Sequence, residues 1–239
     1  MRIAILSDIH GNGTAFEAVL ADLKETAPDL VLHGGDLADG GPAGAVIVDR
    51  IRDLGWQGVG GNTDEMLATP ETFETFAAAI PNLQSMWDAI REIAAWSRER
   101  LGGERLAWLG ELPRELKLDG LALVHASPES AWRSPGAEAS DSELETTYET
   151  LKRAVVAYGH IHKPYVRHTG ALTVVNTGSV GLPYDGDRRA SYALVNDGTP
   201  SIRRVEYDVE RQIKALRDAG APHADWAGRM LMSAAPAQL

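Results

Sequence analysis

The chain has 239 residues, 44% hydrophobic and 24% charged, with no cysteine and a formal net charge of −11. This is an ordinary globular composition with enough apolar residues for a sizeable core; the lack of cysteine excludes disulfides, thiolate zinc sites and thiol catalysis, so any metal must be held by nitrogen and oxygen. The acidic balance argues against long nucleic acid as a partner, no apolar run approaches a bilayer span, and Met1-Arg2 leads straight into a strand without a signal-peptide pattern, so a cytoplasmic protein forming one domain over residues 1–239 is expected.

The first unit, Arg2 to Ser7, reads as a strand buried on both faces and ends in Asp8-Ile9-His10. Gly11-Asn12-Gly13 turns the chain, and Thr14-Ala15-Phe16-Glu17 reads as a capping box opening a helix with Phe16, Val19, Leu20 and Leu23 on its apolar face. A second strand, Asp29 to Leu32, runs into His33-Gly34-Gly35-Asp36; Val46 to Leu54 reads as a helix; Trp56 to Val59 is a third strand ending at Gly60-Gly61-Asn62-Thr63-Asp64. Residues 65–115 change to helical periodicity and are expected to form a helical insert, leaving from the strand edge that carries the polar motifs and able to cover them. Leu116 to Val124 reads as a hairpin turning at Asp119-Gly120 and delivering His125, and the acidic stretch Glu138 to Glu149 as a solvated helix. Val155 and Val156 lead to Tyr158-Gly159-His160-Ile161-His162; Val166 to Asn176, Ser191 to Asn196 and Ile202 to Tyr207 alternate as antiparallel strands; residues 209–239 form a helical tail with a frayed Ala/Pro end.

Polar groups thus follow one strand after another: Asp8 and His10, Asp36, Asn62, His125, then His160 and His162. Side chains at i and i+2 of an extended segment point to one side, and in α/β sheets functional groups gather at the carboxyl ends of strands, so these residues are candidates for one cluster. Seven nitrogen and oxygen ligands exceed the needs of one ion, but two ions sharing a carboxylate, with Asp36 the natural bridge, use them all. His33, His168 and His223 are left without a ligand role. Ser7, Ser127 and Ser179 lie near the motifs without an accompanying base, and capping or turn roles suit them.

The ordered set Asp8-x-His10, Gly35-Asp36, Gly61-Asn62, His125 and Gly159-His160-x-His162 resembles the calcineurin-like metallophosphoesterase superfamily, and Asn176-Thr177-Gly178-Ser179-Val180-Gly181 resembles its small bacterial and archaeal phosphodiesterase branch. The resemblance implies an α/β four-layer αββα sandwich of two mixed sheets, with the helical insert near a dinuclear site at one edge. It assigns Asp8, His10, Asp36 and His162 to one ion and Asp36, Asn62, His125 and His160 to the other, the ions being divalent first-row metals, Mn²⁺ or Fe. Asp36, Asn62 and His125 are the residues it places at the chemistry, in which hydroxide held by the ions attacks phosphorus in line. Many relatives carry a histidine after the motif asparagine, where this chain has Thr63, so esters with good leaving groups are expected to react best. The branch commonly has an arginine where Tyr184 stands; Arg188 or Arg189 can replace it in binding phosphate, or the two can be solvated arginines of a hairpin.

The function implied is hydrolysis of a small or nucleotide-like phosphodiester. A phosphomonoesterase or protein phosphatase is the alternative within the same chemistry, and a catalytically silent binding module of the same fold is the alternative outside it. Seven retained metal-competent residues favour the enzyme, because burying them without metal is costly. Asp64 is expected to orient an imidazole ligand from behind.

Overall fold

Along the first strand Ile3 and Ile5 alternate with Ala4 and Leu6, and this two-residue period sets the layers of the molecule. The computed structural model describes residues 1–239. Its strands are β1 (Arg2–Leu6), β2 (Leu30–His33), β3 (Gln57–Gly58), β4 (Glu115–Lys117), β5 (Leu121–Val124), β6 (Val155–Tyr158), β7 (Tyr165–His168), β8 (Thr173–Asn176), β9 (Ala190–Asn196) and β10 (Thr199–Val205). Its helices are α1 (Gly13–Thr26), α2 (Gly44–Asp53), α3 (Asn62–Ala68), α4 (Pro70–Ala78), α5 (Gln84–Gly110), α6 (Asp141–Tyr148), α7 (Val209–Asp218) and α8 (Ala224–Ser233).

One sheet has the order β10-β9-β1-β2-β3 and the other β4-β5-β6-β8-β7. In the first, β1, β2 and β3 are parallel and β9 and β10 antiparallel; in the second, β5, β6 and β8 are parallel and β4 and β7 are antiparallel edges. Ile3, Ile5 and Leu32 meet Leu121, Leu123, Val155 and Ala157 between the sheets. Ala4 and Leu6 face the opposite way, onto Phe16, Val19 and Ile47 of α1 and α2, while Ala122, Val124 and Val156 face Leu144 and Tyr148 of α6. Helix, sheet, sheet, helix is the four-layer αββα sandwich, and every parallel strand runs its carboxyl end toward one edge.

Several local readings are corrected. The N-cap of α1 is Asn12, whose side chain accepts from the Ala15 N–H at 3.0 Å; Thr14 lies inside the helix and gives its hydroxyl to Gln212. Asparagine caps as well as threonine, and Gly13 already has its place in the first turn. β3 is shorter than Trp56 to Val59, because the Gly60 N–H turns away to the Pro113 carbonyl. α6 is not merely solvated: Leu144 and Tyr148 are buried, and the Tyr148 hydroxyl donates to the Ala126 carbonyl at 2.7 Å. The insert is α4 and a long α5 kinked at Gly102, whose φ of 72° belongs to the left-handed region that glycine tolerates. The tail is two helices rather than one with a frayed end. Ile213, Leu216 and Leu231 bury against each other with Trp96 of the insert alongside, and the Trp226 indole donates to the Ala237 carbonyl, tying the last residues down. No helix is long and apolar enough to cross a membrane.

Candidate metal centre

Each polar motif follows the carboxyl end of a parallel strand: Asp8 and His10 after β1, Asp36 after β2, Asn62 after β3, His125 after β5, and His160 and His162 after β6. The two sheets therefore deliver their loops to a common edge. Strand alternation does not aim the side chains, however. Asp8, His10, Asp36, His160 and His162 have φ of 55°, 49°, 55°, 67° and 56°, so five of the seven sit in left-handed backbone. Such conformations are strained for residues with a Cβ and persist where the surroundings enforce them, often at functional sites. The enforcing contacts are visible. The His10 and Gly11 N–H groups donate to the Asp36 and Leu37 carbonyls, and the Gly159 N–H donates to the His125 carbonyl. The loop after β8 closes the arrangement: the Asn176 side chain donates to the Gly159 carbonyl, and the Ser179 hydroxyl to the Asp8 carbonyl.

Five of the seven residues fall in two groups that share Asp8. Ligating atoms of Asp8, His10 and His162 lie within 4.8 Å of one another, and so do those of Asp8, Asp36 and His125. His162 Nε2 is 3.1 Å from Asp8 Oδ1. Asp36 Oδ2 is 3.7 Å from His10 Nε2 and 3.5 Å from His125 Nε2, so it stands between a histidine of each predicted set. Asn62 Oδ1 lies 3.0 Å from His125 Nε2 and 2.9 Å from His160 Nδ1.

Outer partners hold these groups in orientation. The Gly34 carbonyl takes His125 Nδ1 at 2.8 Å and the Leu182 carbonyl takes His162 Nδ1 at 2.5 Å, so both rings turn Nε2 inward. The Thr63 N–H donates to Asp36 Oδ1 at 2.9 Å, leaving Oδ2 for the centre. The His160 N–H and the Ser7 hydroxyl both donate to the Asp8 carboxylate. Asp64 does not orient an imidazole: its buried carboxylate accepts the backbone N–H groups of Asp36, Leu37 and Gly61 at 2.7, 3.0 and 3.0 Å. The reason is position, since residue 64 opens α3 and faces back onto the loop that precedes it.

The electrostatics show what the cluster demands. Burial opposes charge on His162 and His125, yet the carboxylates beside them, Asp8 for His162 and Asp36 for His125, raise both pKa values. Burial, and then the neighbouring imidazoles, lower His10 and His160 to about 3. Burial raises Asp36; it opposes ionisation of Asp8 as well, but His162, with His125 and His10 added to it, outweighs that and lowers Asp8. Two buried carboxylates thus draw positive charge into a centre of nitrogen and oxygen donors without thiolates. That donor set fits divalent first-row ions.

Sequence reading missed much of the neighbourhood. A cavity of about 310 Å³ opens beside His10, Asn62 and His160, and its wall includes Phe76 and Trp132 as well as Trp226 and Met230 of α8. An apolar i, i+4 pair, Trp226 and Met230, was the only signal that the tail reaches the site. Tyr184 stacks on His162, ring centroids 4.6 Å apart. Arg188 and Arg189 do not come to the centre: both are exposed, outside the cavity lining, and Arg189 pairs with Asp187 at 2.6 Å. They lie in no hairpin, because the flanking β8 and β9 belong to different sheets, and in the connecting loop Asp187, two residues before Arg189, satisfies its guanidinium locally. His33 is buried against Trp108, and His168 and His223 pair with Thr173 and Glu92. Ser7, Ser127 and Ser179 all spend their hydroxyls on neighbouring acceptors.

A sandwich of two mixed sheets bearing Asp, Asn and His at one edge defines a metallophosphoesterase, and the chain belongs to the calcineurin-like phosphoesterase superfamily, whose domain model matches residues 1–198. It is 29% identical to an uncharacterised protein of Methanocaldococcus jannaschii over 96% of both chains. It is 25% identical to a probable cyclic nucleotide phosphodiesterase of Synechococcus over 70% of this chain and 71% of the relative. Among solved structures, a metallophosphoesterase from Sphaerobacter thermophilus superposes with a TM-score of 0.80 at 25% identity, covering 98% of this chain and 100% of that one. A hypothetical protein from Pyrococcus horikoshii superposes with a TM-score of 0.84 at 21% identity over 99% of each.

Proposed function

We propose that the protein is a dinuclear metal-dependent phosphodiesterase acting on a small or nucleotide-like phosphoester. The observation that carries the reading is the position of Asp36 Oδ2 between His10 and His125, with His162 and Asp8 next to His10 and Asn62 next to His125 and His160. Asp8, His10, Asp36 and His162 would hold one ion, and Asp36, Asn62, His125 and His160 the other, with Mn²⁺ or Fe suited to the donors. When bound, such a pair supplies Lewis acidity toward phosphoryl oxygens and activates water as the nucleophile.

The chain's own residues prepare that chemistry. Gly34 and Leu182 carbonyls fix the tautomers of His125 and His162, the Thr63 N–H aims Asp36, and Asp64 holds the Asp36–Leu37 and Gly61 amides in register. The only histidines lining the adjoining cavity are His10 and His160, both assigned to the ions, so no free imidazole is at hand to protonate a leaving group. Esters of acidic alcohols and phenols should therefore turn over best. Preference for diesters is supported by the lack of lysine or arginine in the cavity, where a monoester dianion would find no extra cation, and by the name of the Synechococcus relative.

The test is hydrolysis of bis-p-nitrophenyl phosphate against p-nitrophenyl phosphate, with and without Mn²⁺, for the wild type and Asp36→Asn. Metal-dependent turnover that favours the diester and collapses in the variant is the expected result. No turnover with any first-row metal, despite two bound ions per chain, would overturn it.

A further inference from the structure

The cavity beside the metal centre has a composition that restricts what the phosphoester can carry into it. It is continuous with the centre, since His10, Asn62 and His160 belong to its wall, and most of the remaining lining is apolar. No lysine or arginine lines it, and apart from the histidines Asp39 is the one ionisable group of formal charge. A second phosphate or a carboxylate on the substrate would have to leave water for an apolar wall without a counter-charge, which is costly. That excludes polyphosphates and favours a substrate whose single anionic group is the phosphoryl at the metals.

The aromatic wall narrows the choice further. Phe76 packs on Trp132 with ring centroids 4.8 Å apart, and Phe73 and Phe76 meet Trp87 edge to face at 5.9 and 6.0 Å. The Arg91 guanidinium already lies over the Phe73 ring, 5.5 Å from its centroid, and Phe76 and Trp132 pack on each other, so these rings do not form an open cage of faces for a cation of the substrate. Positive ring edges suit the π face of another aromatic ring, a gain that an alkyl chain does not share. Trp226 and Met230 of α8 bound the same space, and methionine sulfur is a favourable neighbour of aromatic groups. The Gln212 carbonyl is taken by the Thr14 hydroxyl, which leaves its amide N–H₂ without a protein partner at the cavity wall and ready to donate to a ring heteroatom.

We infer that the group carried into this cavity is one flat, uncharged aromatic ring, and that Trp132 and Trp226, both in the cavity wall, determine the specificity for it. The inference rests on the phosphodiesterase reading for the identity of the ester but not for the character of the ring. The α8 tail is then part of substrate recognition, a role separate from the metal-binding sandwich.

The test uses phosphinates, whose phosphorus–carbon bonds are not hydrolysed, titrated calorimetrically into the manganese-loaded protein. Diphenylphosphinate is expected to bind at least about tenfold more tightly than dimethylphosphinate, the scale of discrimination that a hydrophobic pocket achieves, and more tightly than dihexylphosphinate. Trp226→Ala, which removes part of the wall, and Ala227→Phe, which fills the space, are both expected to reduce the phenyl-to-methyl ratio. Equal affinities, no binding of either anion, tighter binding of the dihexyl compound, or a ratio unchanged in both variants would overturn the inference. If the phosphinate ratio holds while bis-p-nitrophenyl phosphate is not turned over, the catalytic reading fails and the cavity assignment stands; turnover with a ratio near one removes the cavity assignment alone.

Discussion

Asp64 carries no predicted ligand role, yet its removal should be among the most damaging single changes in the chain. Its side chain is fully buried, and its carboxylate accepts three backbone N–H groups, Oδ2 from Asp36 and Gly61 and Oδ1 from Leu37. Asp64→Ala strands three buried donors, and leaving one such group unpaired costs about 1–3 kcal/mol. Because the three share one site the terms do not add fully, and a loss of about 4 kcal/mol is expected, a large part of the roughly 5–15 kcal/mol that holds a domain together. For a chain of this size that is a drop of about 8–16 °C in Tm. Asp64→Asn separates the hydrogen bonds from the loss of volume. Its carbonyl can replace Oδ2 and keep two donors, but its N–H₂ then faces the Leu37 N–H, so about half the loss should remain. Urea unfolding of the metal-free protein, with exposed Asp53→Ala as control, measures all three. If Asp64→Ala falls within about 0.5 kcal/mol of that control, as ordinary surface substitutions do, the carboxylate does not organise the loop.

Gly61→Ala should act on the metal centre without disturbing backbone preference, because Gly61 has an ordinary φ of −95°. A Cβ there would stand 2.0 Å from Asp36 Oδ1 and 2.6 Å from the Asp36 nitrogen, so Asp36 must move; a roughly 10–100-fold loss of Mn²⁺ affinity is expected by calorimetry, and unchanged affinity would refute the steric argument. Outside the candidate site, the Arg203 guanidinium, helped by the Tyr192 hydroxyl, holds the Asp22 carboxyl below its ordinary value of 3.8. A carboxyl depressed by folding stabilises the native state above its unfolded pKa and loses that contribution as pH falls through the folded value. With the Arg203 side chain 44% exposed, solvent screening limits the effect: Arg203→Met should cost about 0.5–1 kcal/mol at pH 7, and the gap to wild type should narrow below about pH 4. A gap of constant size down to pH 3 would contradict the assignment.

The order of motifs along the chain was enough to nominate the seven candidate donors and to read the layered α/β plan. Glycine followed by Asp, Asn or His after one apolar run after another is a local pattern, and burial of alternating residues such as Ile3 and Ala4 is a local consequence of the strand period. How the donors are aimed was not legible, because the left-handed backbone at Asp8, His10, Asp36, His160 and His162 is imposed by hydrogen bonds between loops distant in sequence, such as Ser179 to Asp8 and Asn176 to Gly159. Nor could Asp64 be read correctly, since its three amide partners are brought to it only when α3 folds back on the Asp36 loop. The cavity is the fullest case. Phe76, Trp132 and Trp226 each look like ordinary packing residues in sequence, and only the convergence of the insert, the loop after β5 and the tail at one edge of the sandwich places them around a common space. Ligand chemistry is carried by residue types and so survives in the sequence; the shape of the space beside it depends on long-range contacts, which only the tertiary structure decides.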